Sequence, residues 1–597
     1  MNRLGISAGA SARWLFMGAL AALAIACGSD PSPNQPGAGG NGGSGDTGGM
    51  GGAGGMGNTG GMGNTGGMGN TGGMGNTGGM GNTGGMGNTG GMGGTGGEAG
   101  GGSDTRCIPG SAMPCYQGPN GTEGTGACKA GTWTCDAEGH WGECIGQVLG
   151  SQELCNSGVD EDCNGQVDEP GCTPQSVVSV AVGGATTCAR LSDGRVKCWG
   201  DNTLGQLGLG DKKSRGDEPG EMGAALPAVD LGTGISPVAI HAGVGSACAH
   251  MSDGTVKCWG WNHVGQLGLG DKNNRGDEPG EMGDALPAVD LGAGAVVKSV
   301  SLGNTHACAL LDGGIVKCWG SNSIGQLGLG DKNNRGDEPG EMGDALPAVD
   351  LGTGKKAIAV SAGDVNSCAV LDDFSLKCWG ANWYGQLGRD VTHAGDQPGE
   401  MGDALPAIDL GTGKAVQAVS VGSGFICALL STGRVKCWGH NAYGALGLGI
   451  TAQQIGLLPG EMGDDLPEVD LGTGKTAKAI HTGNSFACAT LDDDSAKCWG
   501  SNGYGELLKG NTTHLGTKPS EMGDNLLPID LGVGKTISAV DLGTAFTACA
   551  LLTDGSLKCW GYNNSGGLGL GDKHHRGDQL GEAGDNLPTV KLFNDNW

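Results

Sequence analysis

Two patterns in this sequence could do chemistry. The first is a pair of cysteines ten positions apart, the second always followed by Trp-Gly, and it occurs seven times. The pairs are Cys188 with Cys198, Cys248 with Cys258, Cys308 with Cys318, Cys368 with Cys378, Cys427 with Cys437, Cys488 with Cys498 and Cys549 with Cys559. Each stretch reads as a β-hairpin, because apolar runs flank a turn such as Ser192-Asp193-Gly194, and a three-residue loop ending in Gly suits a tight hairpin. With Asp193 at the tip, Cys188 faces Cys198. Directly opposed residues in a non-hydrogen-bonded pair have Cα atoms about 4.5 Å apart, within disulfide reach. Seven local disulfides are expected. The alternative is seven pairs of reduced thiols packed as small hydrophobes. No Cys-x-x-Cys occurs, so zinc-ribbon and thioredoxin-like chemistry lack support.

The second pattern is Asp160-Glu-Asp162-Cys-Asn164-Gly165-Gln166-Val-Asp168. Short oxygen donors at alternate places converge on a hard cation, and Gly at the sixth place makes the sharp turn of a calcium loop. Asp160, Asp162 and Asn164 are candidate side-chain ligands, Gln166 offers its carbonyl, and Asp168 fills the ninth place. The twelfth place is Gly171, so Glu169 or water would supply the missing ligand. The competing reading is a solvated acidic turn. The segment resembles the metal-binding motif of bacterial surface proteins and the calcium repeats of thrombospondins.

The elements that carry these residues follow from spacing. Successive first cysteines lie 59 to 61 residues apart across residues 176–597. In the second unit, apolar runs at Val238–His241, Ala247–Met251, Thr255–Trp259 and Leu286–Gly292 read as four short strands. Period and strand count indicate an all-β, seven-bladed β-propeller. Residues 104–173 form a small module with eight cysteines. With little apolar core it depends on disulfides, and its pairing is open among 105 connectivities. Before it, residues 28–103 are of low complexity, with Gly-Gly-Met-Gly-Asn-Thr units repeating from about Gly54 to Gly90; they cannot bury enough apolar surface to order. They read as a disordered spacer of roughly 45–50 Å mean reach.

Residues 1–27 read as an export signal, with Arg3 and Arg13 before an apolar run from Trp14 to Ala26. The ending Leu23-Ala24-Ile25-Ala26-Cys27-Gly28 resembles a bacterial lipobox, which implies lipid attachment at Cys27. Ala24 stands where Leu is usual, and secretion after Ala26 is the alternative. The remaining 22 of 23 cysteines are an even number, as full pairing in an oxidising compartment requires. Formal net charge is -28, which disfavours nucleic acid as a partner.

Each unit also carries a long polar loop, Gly270 to Asp284 in the second. Placed alike in every blade, these loops would form an acidic collar on one face. Asp277, Glu281 and Asp284 could bind a divalent cation; the structural alternative pairs Arg275 with a carboxylate of its own or the next loop. Arg-Gly-Asp recurs at Arg215, Arg275, Arg335 and Arg576, inside the scaffold repeat rather than on a dedicated adhesion loop. Units 4 to 6 break the pattern at Ala394, Ile455 and Leu515. Their loops are the expected contact sector.

The stretch Trp319 to Gly330, Trp-Gly-x-Asn-x-x-Gly-Gln-Leu-Gly-Leu-Gly, resembles the repeat of the regulator of chromosome condensation family. The resemblance spans all seven units and implies a seven-bladed propeller. The family includes a bacterial inhibitor of β-lactamase, so protein partners fit. Nucleotide exchange on a small GTPase, as in the eukaryotic namesake, is one alternative function; a glycan-active propeller enzyme is another. The folded part has no Gly-x-Ser-x-Gly elbow, His-Glu-x-x-His or phosphate loop, and His574-His575 is an isolated pair. The expectation is a non-catalytic outer-membrane or cell-surface lipoprotein, with calcium in the cysteine-rich module and a protein or glycan partner.

Overall fold

The computed structural model describes residues 107–593 apart from 138, 151–152, 156–159 and 168–171. The export signal, Cys27, the Gly-rich segment and Asp168 lie outside the described residues.

Four disulfides hold the cysteine-rich segment: Cys107–Cys135, Cys115–Cys144, Cys128–Cys163 and Cys155–Cys172. An antiparallel pair joins Ala112–Cys115 to Gly131–Thr134. The apolar side chains described as buried before Val177 are all cysteines. Sulfur bridges thus stand in for a core that this composition cannot build.

Each repeat folds as an antiparallel sheet with inner, middle and outer strands in chain order. In the second repeat these are Pro237–Ala242, Ser246–Met251 and Val256–Gly260. There are seven such sheets, of three or four strands. Every inner strand bears a bulge at its second residue, as between Pro237 and Ala239, which strengthens local twist. The hairpins are apolar on both faces because neighbouring sheets stack. One core cluster joins Cys248, Val256 and Leu267 of the second repeat to Val297, Leu302 and Trp319 of the third.

The register places the two cysteines of every hairpin directly opposite each other across the middle and outer strands, as the ten-residue spacing requires. Cys188 faces Cys198, Cys248 faces Cys258, and Cys308 faces Cys318. In the later repeats Cys368 faces Cys378, Cys427 faces Cys437, Cys488 faces Cys498, and Cys549 faces Cys559. All seven pairs are bonded, with Cα atoms 4.1 Å apart. The alternative of seven reduced pairs does not hold for any of Cys198, Cys258, Cys318, Cys378, Cys437, Cys498 or Cys559.

The fourth ladder position differs from the expected strand at Leu286–Gly292. It falls instead on single bridges at Arg215, Arg275, Arg335, Leu515 and Arg576. In the fourth and fifth repeats it is a two-residue strand, His393–Ala394 and Gln454–Ile455. Leu286–Gly292 keeps a link from Val289 N–H to the Val256 carbonyl, 2.7 Å. Pro287 has no N–H to extend that ladder.

Tryptophan joins sheet to sheet. Trp259 Nε1 donates to the Gln206 carbonyl of the preceding repeat at 3.0 Å, and Trp319 Nε1 to that of Gln266 at 3.1 Å. Trp379, Trp438, Trp499 and Trp560 repeat the contact. Trp199 completes the circle by donating to Gly567 at 3.0 Å. The second glycine of Gly-Gln-Leu-Gly clears space for this indole: a Cβ on Gly268 would lie 2.8 Å from Trp319 Nε1, at φ +69°.

A buried lysine adds a second clamp. Lys257 Nζ donates to Leu231 O, from the end of the preceding repeat, and to Gly283 O, each at 2.9 Å. In the first repeat the C-terminal segment supplies the missing partner, and Lys197 Nζ reaches Leu592 O at 2.9 Å and Gly223 O at 2.7 Å. Val182 N–H also donates to Asp541 Oδ2 across this seam at 2.7 Å.

Trp319→Phe leaves the Gln266 carbonyl buried without its donor and is expected to cost about 1–3 kcal/mol; Trp319→Ala should cost about 3–5 kcal/mol. Gly268→Ala should destabilise more than Gly280→Ala, whose Cβ meets nothing within 4 Å. Guanidinium unfolding of the four variants checks this order.

Candidate functional site

The loop after each Trp-Gly is tied to the turn between the inner and middle strands. Trp261 N–H donates to Gly245 O at 2.7 Å, His440 N–H to Gly424 O at 2.9 Å, and Tyr562 N–H to Phe546 O at 3.0 Å. These loops and turns therefore gather at one end of the sheets, opposite the hairpin tips. Asn262 orders its loop by donating from Nδ2 to Asp271 O at 2.8 Å and accepting Leu267 N–H at Oδ1, 2.9 Å.

The acidic loops are spent on the scaffold. Arg275 pairs with Asp271 of its own loop at 2.6 Å, and Arg215, Arg335 and Arg576 do likewise. Lys212 pairs with Asp277 and Glu278 of the next repeat, each at 3.0 Å. Lys272, Lys332 and Lys573 clasp their next neighbours in the same way. Glu281 Oε2 accepts Gly276 and Glu278 N–H, and Asp284 Oδ1 accepts Thr233 N–H. Asp277, Glu281 and Asp284 thus each serve a different partner. In the Arg-Gly-Asp tripeptides of the first three repeats both charged ends are engaged, whereas Asp578 of the fourth tripeptide keeps a buried Oδ1 without a hydrogen-bond partner.

In repeats 4 to 6 the arginine is replaced by Ala394, Ile455 and Leu515, and aromatic rings appear instead. Tyr384, Tyr443 and Tyr504 fill one slot where repeats 1 to 3 carry Leu204, Val264 and Ile324. Trp383 is 51% exposed and Tyr443 53%. Tyr384 stacks on His440 with centroids 4.2 Å apart, and Tyr443 lies 4.5 Å from His514. Four of the five tyrosines occupy this end of the ring. Their spacing near the repeat period was a signal present in the sequence.

In the calcium-like loop, Asp160 accepts Asn164 and Gly165 N–H, and Asp162 accepts Asn164 N–H. Gln166 N–H donates to Asn164 Oδ1 at 2.9 Å. Among the described residues one group of three carboxylates could share a cation: Glu153, Asp160 and Asp162, with oxygens within 4.8 Å of one another. Glu153 lies before the motif and no spacing rule pointed to it.

Buried polar groups sit on the inner strands, at the start of a middle strand and in the turns that join them. His306 Nε2 contacts Ser367 Oγ at 2.9 Å, and burial lowers its pKa to about 3. Burial, with a smaller effect of His250, lowers His241 to about 4. Burial holds the Asp541 carboxyl well above the usual range. Asp364 accepts Asn304 Nδ2 at 2.9 Å and Ser423 Oγ at 3.4 Å, and burial raises it too.

Sheets stacked face to face around a ring, with their loops at a common end, define a β-propeller of disulfide-locked repeats. The chain carries regulator of chromosome condensation repeats: a model described as "Regulator of chromosome condensation (RCC1) repeat" matches residues 177–206, 297–326, 416–445 and 537–566, and another of the same description matches 253–310. It is similar to the ultraviolet-B receptor UVR8 of Arabidopsis thaliana, 26% identical over 68% of this chain and 82% of the receptor. It is 27% identical to the human E3 ubiquitin-protein ligase HERC2 over 64% of this chain but 7% of the ligase. Among solved structures, human WBSCR16 aligns at 21% identity and a TM-score of 0.46, covering 62% of this chain and 85% of the other. Prp20p of Saccharomyces cerevisiae aligns at 19% identity and 0.44, covering 62% and 80%.

His241 and His306 stay neutral in the fold while the unfolded chain takes a proton near pH 6.5, so acid favours unfolding. Between pH 6.5 and 5 each is expected to remove about 2 kcal/mol of stability. Asp541 acts in the opposite direction, because its raised pKa lets the fold take up a proton first. Replacing His306 by Asn should flatten the loss measured by denaturant unfolding at pH 5, 6 and 7; an unchanged slope would count against neutral burial.

Proposed function

We propose that this chain is a non-catalytic binding module anchored in the cell envelope. Lipidated Cys27 is the anchor, the Gly-rich segment is the spacer, and one end of the propeller meets a protein or glycan partner. The observation that carries this reading is the break in repeats 4 to 6. Repeats 1, 2, 3 and 7 keep the arginine–aspartate pair within the loop. Three successive repeats give it up and carry exposed aromatic rings instead. A purely structural ring has no reason to abandon its own clamp in adjacent units, whereas a contact surface does. Cross-linking of the intact protein on cells tests it. Capture should be lost when charges in the loops of repeats 4 to 6 are reversed and kept when those of repeats 1 to 3 are; the reverse outcome sinks the assignment. Cys27→Ser should abolish palmitate incorporation and shift the protein from membrane to soluble fractions.

A second reading concerns the cysteine-rich module. Three hard carboxylates, two of them in an Asp-x-Asp-x-Asn-Gly turn, suit calcium, and Glu153 is the acid that supports it most. Glu153, Asp160, Asp162 and Asn164, with the Gln166 carbonyl and Asp168, would hold the ion. Calorimetric titration should give a Kd of about 10⁻⁴–10⁻³ M, as in extracellular modules. Glu153→Gln should weaken it by about tenfold or more, and unaltered affinity would remove Glu153 from the set.

A further inference from the structure

We propose that the aromatic arc on repeats 4 to 6 is a docking site for a neutral glycan chain. This rests on the binding-module reading and names its partner class. The arc places amphipathic rings at successive repeats: Trp383 and Tyr384 in the fourth, Tyr443 in the fifth and Tyr504 in the sixth. Trp383, Tyr443 and Tyr504 are 51%, 53% and 36% exposed. One or two rings per repeat, carried across three repeats, suit a chain of sugars better than a single sugar.

The rings are held before any ligand arrives. His440 stacks on Tyr384 at 4.2 Å, His514 backs Tyr443 at 4.5 Å, and His393 meets Trp383 edge-on at 6.1 Å. Buttressed rings lose little rotamer freedom on binding. The flat carbon–hydrogen face of a pyranose packs on such a ring, while its hydroxyls need donors and acceptors at the edge.

Charge selects the class of polymer. Stacking platforms for nucleic-acid bases are paired with a cationic groove, and here the arginine slot holds Ala394, Ile455 and Leu515 in a chain of net charge -28. That balance repels phosphate backbones and acidic glycans alike. A neutral polyhydroxyl chain with apolar faces is the polymer that meets both the rings and the missing cations.

The test uses the full chain, titrated by calorimetry and tryptophan fluorescence with cellohexaose, laminarihexaose, xylohexaose, maltohexaose and chitohexaose. At least one should bind with a Kd below about 1 mM. Trp383→Ala and Tyr443→Ala should each weaken it by about tenfold or more, with Tyr443→Phe restoring most of the affinity. Trp261→Ala, which removes a ring stacked on His263 in the second repeat, should leave binding unchanged. Unaltered melting temperatures show that the variants keep their fold. Absence of binding to all five sugars, or equal loss in Trp261→Ala, overturns the inference. If cross-linking instead captures a protein that the Trp383 and Tyr443 variants lose, the glycan assignment falls and the binding-module reading stands.

Discussion

An indole N–H donated across the gap between repeats is the contact on which this ring depends. Each of the seven buried tryptophans reaches back to a carbonyl of the repeat before it, and the first reaches the last. Buried indole and carbonyl groups are costly to leave unpaired, so the spacing between sheets has little freedom. The glycine-rich outer loops follow from the same contact. Gly208, Gly268, Gly328, Gly447 and Gly569 each sit where a Cβ would strike the neighbouring indole. The lysine clamp acts alongside it, binding the tail of one repeat to the next, and the C-terminal Leu592 serves the first repeat in the same role. The first and last repeats are thereby joined.

The disulfides act at a different level. They join strands already paired within one sheet, over only ten residues. Their effect falls on the hairpin, in the chain-entropy view by restricting the unfolded state, rather than on closure of the ring. Local staples and long-range clamps are separate devices, and an oxidising compartment is needed for the first alone. The acidic loops add a third layer, since their ion pairs run within a loop and across to the next repeat. Exposed pairs of this kind contribute little each.

Much of this was legible in the residues. The ten-residue cysteine spacing predicted the opposed register, from Cys188 and Cys198 through to Cys549 and Cys559, and the near-constant period predicted repeated sheets. Arg275 was expected to pair with a carboxylate close by, and it does. The fourth strand was misplaced because an apolar run looks the same whether or not Pro287 lets it join a ladder. Glu153 escaped notice because ligand spacing rules describe contiguous loops, and this carboxylate arrives from outside the loop. The aromatic arc was missed because its rings stand one repeat apart, where no local pattern joins them.

What the sequence by itself determined is local: hairpins, tips and the cysteine pairing within each repeat. These depend on contacts between residues close in the chain, where type and spacing limit the geometry. Only the tertiary structure decided the rest: the four pairings of the cysteine-rich module, the partner of each indole, the closure through Leu592, and the gathering of Trp383, Tyr443 and Tyr504 at one end. Those contacts join residues tens to hundreds of positions apart, and their partners are chosen by how the sheets stack rather than by any pattern along the chain.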